Sequence, residues 1–232
     1  GINDVNGVLW SGQDVYVRDM STDTTMLVSR SSSNPNQTAN SHSDGQRISR
    51  DGSRVVYRST ATDVQAGVTD LNRGDWDLVV FELATQTNSY VVTQTTEASS
   101  GNSGSFRTDR SLSADGRYEV FSSDASDLVS GDINQTTDVF LRDIVLGTTT
   151  LISRSLSGVS ANNSSVQGVI SADGQYVAFV SYATNLGVTG LNSTSGWGQV
   201  YRWHRTSGVI ELVTPNASED AGATYNSINP SI

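Results

Sequence analysis

The side chains best equipped for chemistry in this sequence are oxygen donors spaced two residues apart. Asp132-x-Asn134-x-Thr136-x-Asp138 places a carboxylate, an amide, a hydroxyl and a second carboxylate at alternate positions of one polar stretch. Calcium takes about six to eight oxygen ligands, so one such loop can supply roughly half a shell, with water or Asp127 completing it. The pattern recurs as Asp70-x-Asn72 followed by Asp75 and Asp77, and as Asp4-x-Asn6 followed by Asp14. A further version, Gly190-Leu191-Asn192 ending at Gln199, has lost both carboxylates and is expected to bind metal weakly or not at all. The competing reading is local, because Asp and Asn cap their own backbone in Asx turns ahead of a strand. Repetition with a closing carboxylate argues for Ca2+ at 70–77 and 132–138, where it would act structurally and fix long loops that lack apolar anchors.

Tryptophans flank the same stretches. Trp10, Trp76 and Trp197 each sit shortly before a strand signal, where exposed rings would form stacking platforms for sugars. The alternative is packing over neighbouring elements, and Trp203, inside a strand signal, reads as core. For catalysis the inventory is thin: the chain has His42 and His204 only, no cysteine and no G-x-S-x-G elbow. The carboxylate pairs Asp124 with Asp127 and Asp75 with Asp77 resemble a glycosidase pair on paper, but neighbours in polar turns explain them more simply. No enzyme activity is expected.

These residues sit between recurring apolar runs. Ser49-Arg50-Asp51-Gly52, Ser113-Ala114-Asp115-Gly116 and Ser171-Ala172-Asp173-Gly174 each precede a β-rich run, with 64 positions from Asp51 to Asp115 and 58 from Asp115 to Asp173. Asp-Gly marks a tight hairpin and is expected to supply its positive φ angles. A second phrase begins at Asp14, Asp77, Asp138 and Gln199, the copies starting 63, 61 and 61 positions apart. A period near sixty with four strand signals in each period means an array of small antiparallel sheets. No stretch shows a sustained helical apolar stripe.

Composition narrows the partners. The 232 residues carry a net charge of −10, and every one of the 14 basic residues is Arg. A phosphate backbone is repelled by that field, so nucleic acid is not expected as a partner. Without cysteine there is neither a disulfide nor a thiolate metal site. No apolar run is long enough for a spanning helix. The chain opens on Gly1 rather than Met, which suggests a processed or excised piece. Asn-x-Ser/Thr triplets at Asn36, Asn134, Asn163, Asn192 and Asn216 would carry glycans only in a eukaryotic secretory protein.

The phrase I/L-S-x-D-G-x-x-V-x-F, then D-V-F-L-R-D, then T-T-x-L-V/I-S-R, resembles the WD-like β-propeller repeats of TolB and related bacterial envelope or secreted proteins. The resemblance covers nearly the whole chain and implies an all-β propeller of four-stranded antiparallel blades, inner strand first, with the Asp-Gly turn joining the first two strands. It implies about four blades, or a fragment of a larger ring: a partial blade over 1–33, full blades near 45–95, 106–156 and 165–214, and an opening strand at 226–232. The loop between second and third strands is longer here than in TolB blades. The resulting expectation is a secreted, periplasmic or cell-surface scaffold or interaction module with calcium-stabilised loops and a protein or polysaccharide partner. The alternatives are a lectin-like propeller using the loop tryptophans, or the accessory domain of a larger hydrolase.

Overall fold

The computed structural model describes residues 12–91, 99–186, 197–214 and 229–232, and all regular structure among them is β. The chain enters on β1 (Tyr16–Asp19) and β2 (Thr24–Leu27), which pair as an antiparallel ribbon. A short second ribbon follows, β3 (Arg30–Ser31) with β4 (Asn34–Thr38), in a stretch that reads as polar connector in the sequence.

Three four-stranded sheets come next. The first full blade is β5 (Ser43–Ile48), β6 (Arg54–Ser59), β7 (Asp77–Glu82) and β8 (Thr87–Tyr90). The second is β9 (Ser105–Phe106), β10 (Tyr118–Ser123), β11 (Asp138–Asp143) and β12 (Thr148–Leu151). The third is β13 (Ser165–Ile170), β14 (Tyr176–Ser181), β15 (Gln199–His204) and β16 (Ile210–Leu212). Within each, neighbours in sequence are neighbours in the sheet and all pairs are antiparallel.

Side-chain alternation sorts these strands onto two faces, and both faces are buried. From the first full blade, Val55, Tyr57, Val79 and Phe81 pack back against Val15 and Val28 of the leading ribbon. Their neighbours Val56, Leu78 and Val80 face the other way and meet Phe121, Phe140 and Leu151 of the second blade. The opposite face of the second blade, with Val120, Val139 and Leu141, packs on Val177, Phe179, Tyr201 and Trp203 of the third. Middle strands covered on both sides read as continuous apolar runs, which is why every residue of β10 and β11 is buried. Burying each large apolar side chain stabilises the stack by about 1.5–3 kcal/mol.

The Ser-x-Asp-Gly phrase does more than turn the chain. Ser113 Oγ donates to Asp115 Oδ1 at 2.6 Å, Asp115 Oδ1 accepts the Arg117 N–H at 3.0 Å, and Ser113 Oγ accepts the Tyr118 N–H at 2.9 Å. The turns at Asp51 and Asp173 repeat this wiring. Within these three turns positive φ falls on the glycine, Gly52, Gly116 or Gly174, and not on the Asp before it, which serves as an acceptor, so the expected Asp contribution of φ is replaced by an Asx bracket. The residue between Ser and Asp ties the blades together: Arg50 N–H donates to Ala114 O, and Ala114 N–H to Ala172 O, both at 2.9 Å.

A second bracket also recurs three times. Asn40 N–H donates to Asp63, Asn102 N–H to Asp127 and Asn162 N–H to Asn185, at 2.9, 3.0 and 2.8 Å. Each Asn amide also exchanges bonds with the residue before its acceptor: Thr62, Ser126 or Thr184. Sequence distances of about twenty residues are thereby closed without apolar contact.

Candidate metal centres

Asp77 and Asp138 open the third strands β7 and β11, at the end of the long loops that leave β6 and β10. Strand burial carries both carboxylates inward, and each is almost fully shielded from water. Asp138 Oδ1 accepts from Ser153 Oγ at 2.5 Å, and Ser153 Oγ accepts the Val139 N–H at 3.0 Å. Asp14 and Ser29 build the same bracket ahead of β1, at 2.9 Å for each bond. In the third blade, Thr214 Oγ1 donates to Gln199 Oε1 at 3.0 Å and accepts the Val200 N–H at 3.1 Å. Asp77 is held differently, by Asn72 Nδ2 on its Oδ1 at 3.1 Å.

What remains over is a set of buried oxygens with no hydrogen-bond partner. In the first loop these are Asp70 Oδ2, Asn72 Oδ1 and Asp77 Oδ2; in the second, Asp132 Oδ1, Thr136 Oγ1 and Asp138 Oδ2. An unsatisfied buried acceptor costs about 1–3 kcal/mol, and a charged one more. Burial pushes Asp77 up to about 8, with the Asp70 charge adding to the rise. Burial likewise raises Asp138 to about 7, against the Ser153 bond and with help from Asp132, which is itself raised by burial. Each loop thus holds two carboxylates close enough for the charge of one to raise the other, and each of the four keeps one buried oxygen without a hydrogen-bond partner.

The connector leading to the following blade grips each loop from outside. Ser160 Oγ accepts the N–H groups of Ile133 and Asn134 at 2.9 and 3.1 Å, Ser160 N–H donates to Gly131 O at 2.8 Å, and Asn134 Nδ2 donates to Ala161 O at 2.7 Å. One period earlier, Ser100 Oγ accepts the Leu71 N–H at 3.1 Å, Ser100 N–H donates to Thr69 O at 2.9 Å, and Asn72 Nδ2 lies 3.4 Å from Ser103 O. Asn134 Oδ1 accepts the Thr136 N–H at 2.9 Å, so this amide shapes the loop, and Thr136 supplies the free oxygen beside it.

The remaining sequence candidates are placed as follows. Asp75 is exposed, its carboxylate lying along Gly104. Asp127 is engaged by the Asn102 bracket, and Asp124 accepts from Thr137 Oγ1 at 2.5 Å. Asp4, Asn6, Trp10 and Asn192 lie outside the described residues. Among the described residues, no group of three or more His, Cys, Asp or Glu side chains is arranged to hold a metal; each loop offers two carboxylates and completes its set with an amide or a hydroxyl. Trp76 is covered by the Arg58 guanidinium, 4.3 Å from the ring centroid, and His42 meets it edge-on at 5.2 Å. Trp197 is 47% exposed, and Trp203 is core.

One buried charge escapes any reading of the motifs. Glu119 is fully buried on β10, where the other blades carry Val55 and Val177, and burial lifts it to about 7 against the opposing pull of Arg107. Arg107 Nη1 stands 4.0 Å from Glu119 Oε1. The signal was spacing: Ser105 to Ser113 spans 8 positions, whereas Ser43 to Ser49 and Ser165 to Ser171 each span 6. The two extra residues interrupt the first strand of the second blade and bring Arg107 inward.

Three full blades built from the same four-stranded meander, stacked face to face in chain order, decide the architecture. The fold is a β-propeller. No protein-family model matches the chain, and no curated protein matches it. Solved structures do. A prolyl endopeptidase aligns at 14% identity over 89% of this chain and 27% of that one, with a TM-score of 0.51. TolB from Acinetobacter baumannii aligns at 16% identity over 90% of this chain and 39% of that one, TM-score 0.44. The β-propeller domain of the Trilobed protease from Pyrococcus furiosus aligns at 14% identity over 73% and 40%, TM-score 0.43. The propeller chain therefore spans between about a quarter and two-fifths of the length of these three chains. Its described residues include no helix long and apolar enough to cross a membrane.

Proposed function

We propose that this propeller is a non-enzymatic, exported interaction module whose rim of long second-to-third strand loops, fixed by calcium, is presented to a protein partner. The observation that carries this reading is the construction of those loops. Their bases are clasped by Ser100 and Ser160, while the residue after the first acid of each, Leu71 or Ile133, stands 42% or 64% exposed at the same repeat position. A rigid rim with repeated apolar tips suits recognition of another surface, because little loop ordering remains to be done on binding. Sites with two carboxylates per ion suit the weak affinities of extracellular calcium modules, about 10⁻⁴–10⁻³ M, which supports export to a secreted, periplasmic or cell-surface location.

A lectin-like role keeps one supporting observation, the exposed Trp197 ring, and predicts quenching of its fluorescence by a polysaccharide. The discriminating experiment places a photo-reactive residue at Ile133 and, as control, at Met20 on the first ribbon's turn. Cross-linking in calcium to one defined protein from position 133 but not from position 20 supports the rim. Turnover of peptide, ester or glycoside substrates by the pure chain would overturn the non-enzymatic reading.

A further inference from the structure

The geometry points to two Ca2+ sites, one on Asp70 Oδ2, Asn72 Oδ1 and Asp77 Oδ2 and one on Asp132 Oδ1, Thr136 Oγ1 and Asp138 Oδ2, each acting as a staple between consecutive blades. This deepens the calcium part of the proposed function and needs no partner to be true.

Four observations carry it. The free atoms are all oxygens, three in each loop, and the two carboxylates, Asp70 with Asp77 and Asp132 with Asp138, hold the same repeat positions in successive blades, while the third donor moves from Asn72 to Thr136. Asp77 and Asp138 are more than nine-tenths buried, so water does not satisfy them in bulk. Two carboxylates per loop balance one divalent cation, and hard oxygen donors without imidazole or thiolate select calcium or magnesium over zinc. Calcium is favoured because a loop of mixed carboxylate, amide and hydroxyl donors imposes no strict octahedron, and backbone carbonyls and water complete its larger shell.

The third blade supplies the control. Gln199 and Thr214 make the same strand-opening bracket as Asp138 and Ser153, with the same bond to the following backbone N–H. A neutral amide therefore suffices for the architecture. The extra charge at Asp77 and Asp138 serves something beyond the bracket, and a cation is the simplest thing a buried pair of carboxylates serves.

The staple follows from which backbone grips the loop. The ligands belong to the blade that precedes, while Ser100, or Ser160 with Ala161, belongs to the connector that feeds the blade that follows. Beyond each loop, the first strand of the next blade begins on a bond back to it: Ser105 N–H donates to Trp76 O, and Ser165 N–H to Thr137 O, both at 2.8 Å. Fixing the loop with an ion fixes the edge on which the next blade is laid.

The test uses the whole chain stripped of metal and titrated with Ca2+ by calorimetry, and with Tb3+ by luminescence excited through tryptophan, since Trp76 adjoins Asp77 in sequence. Asp77→Asn is expected to lose one equivalent of Ca2+ and most of the sensitised Tb3+ emission. Asp138→Asn is expected to lose one equivalent while keeping that emission, and Asp115→Asn, in a turn away from both loops, is expected to lose neither. Thr136→Val replaces Asp138→Asn if that variant does not fold. Chelation is expected to speed amide hydrogen exchange at Ser105 and Ser165 at least tenfold. A calcium stoichiometry that none of the loop variants changes overturns the sites; exchange at Ser105 and Ser165 that chelation leaves unchanged overturns the staple. Loss of cross-linking from Ile133 with calcium binding intact would strike the rim reading and leave this one standing.

Discussion

The second and third full blades share strand order and turn wiring, yet two of the positions at which they differ hold a deeply buried carboxyl in the second blade alone. Where the second carries Asp138 at the head of its third strand, the third carries Gln199; where the second carries Glu119 in its second strand, the third carries Val177. The third blade shows that neither charge is needed to make the sheet. Its core is the more orthodox of the two, and the second blade holds two carboxyls that burial pushes up to about 7. Charges retained against such a desolvation penalty mark positions where architecture and function separate.

That comparison holds only if the blades are stacked in one register, and Gly174 is where the register is tightest. A Cβ added there would lie 2.6 Å from the Tyr118 ring of the preceding blade, at a φ of +70°. Gly174→Ala is expected to destabilise the chain by about 4 kcal/mol, strain and overpacking together, read from the midpoint of a urea transition. A loss under about 1 kcal/mol would mean that the blades slide on one another and that position-by-position comparison between them is unsound.

Glu119 sharpens the contrast through pH. Its folded carboxyl, raised by burial and opposed by Arg107 and Arg47, keeps its proton up to about 7, while the unfolded chain releases it near 4.5. Between those values the unfolded state binds fewer protons, so stability falls as pH rises through the window, by about 3 kcal/mol in total from this residue. Glu119→Gln is expected to flatten that slope in denaturation curves taken from pH 4.5 to 7. A parent protein whose stability is already flat there would place Glu119 in a firm ion pair with Arg107 instead.

Converting the second blade to the third at its other buried point gives an effect of changing sign. Asp138→Gln with Ser153→Thr rebuilds the Gln199–Thr214 bracket and removes a buried carboxylate. In chelator the variant is expected to be more stable than the parent by about 2 kcal/mol, because an unsatisfied buried group is gone. In calcium at about 100 times the dissociation constant the parent gains about 2.7 kcal/mol from that site, and the order reverses. The same ranking in both conditions would remove the ion from this loop.

Much of this was legible because the repeat writes the same residue for the same physical task. The Asp-Gly phrases located the turns between first and second strands, and the D-V-F-L-R-D phrases located the third strands, since strands buried on both faces read as unbroken apolar runs. The oxygen ladder at 132–138 was visible as spacing. What spacing does not carry is direction: Asn134 turns its amide to its own loop and Ala161, while Thr136 keeps a free oxygen, and only the fold of the connector decides this. The ribbon β3–β4 was hidden because Asn34-Pro35-Asn36-Gln37-Thr38 has turn composition and pairs through its backbone. Glu119 was hidden because a lone acid in an apolar run looks like a surface position until a partner such as Arg107 is brought in by an insertion elsewhere.

The smallest expected effect concerns the outer face of the stack. Gly116 and Gly174 each press on the blade before them, Gly116 with its would-be Cβ 2.9 Å from Ser49. Gly52 has the same positive φ, +72°, but nothing within 4 Å of the corresponding point among the described residues. The leading ribbon β1–β2 supplies third- and fourth-strand positions only, so no turn of the Ser-x-Asp-Gly type stands opposite Gly52 among those residues. Gly52→Ala is therefore expected to destabilise by about 1 kcal/mol, the strain of a left-handed alanine alone. A loss as large as that of Gly174→Ala would mean that Gly52 is pressed by another surface in solution, and varying the protein concentration would tell whether that surface is a second copy of the chain.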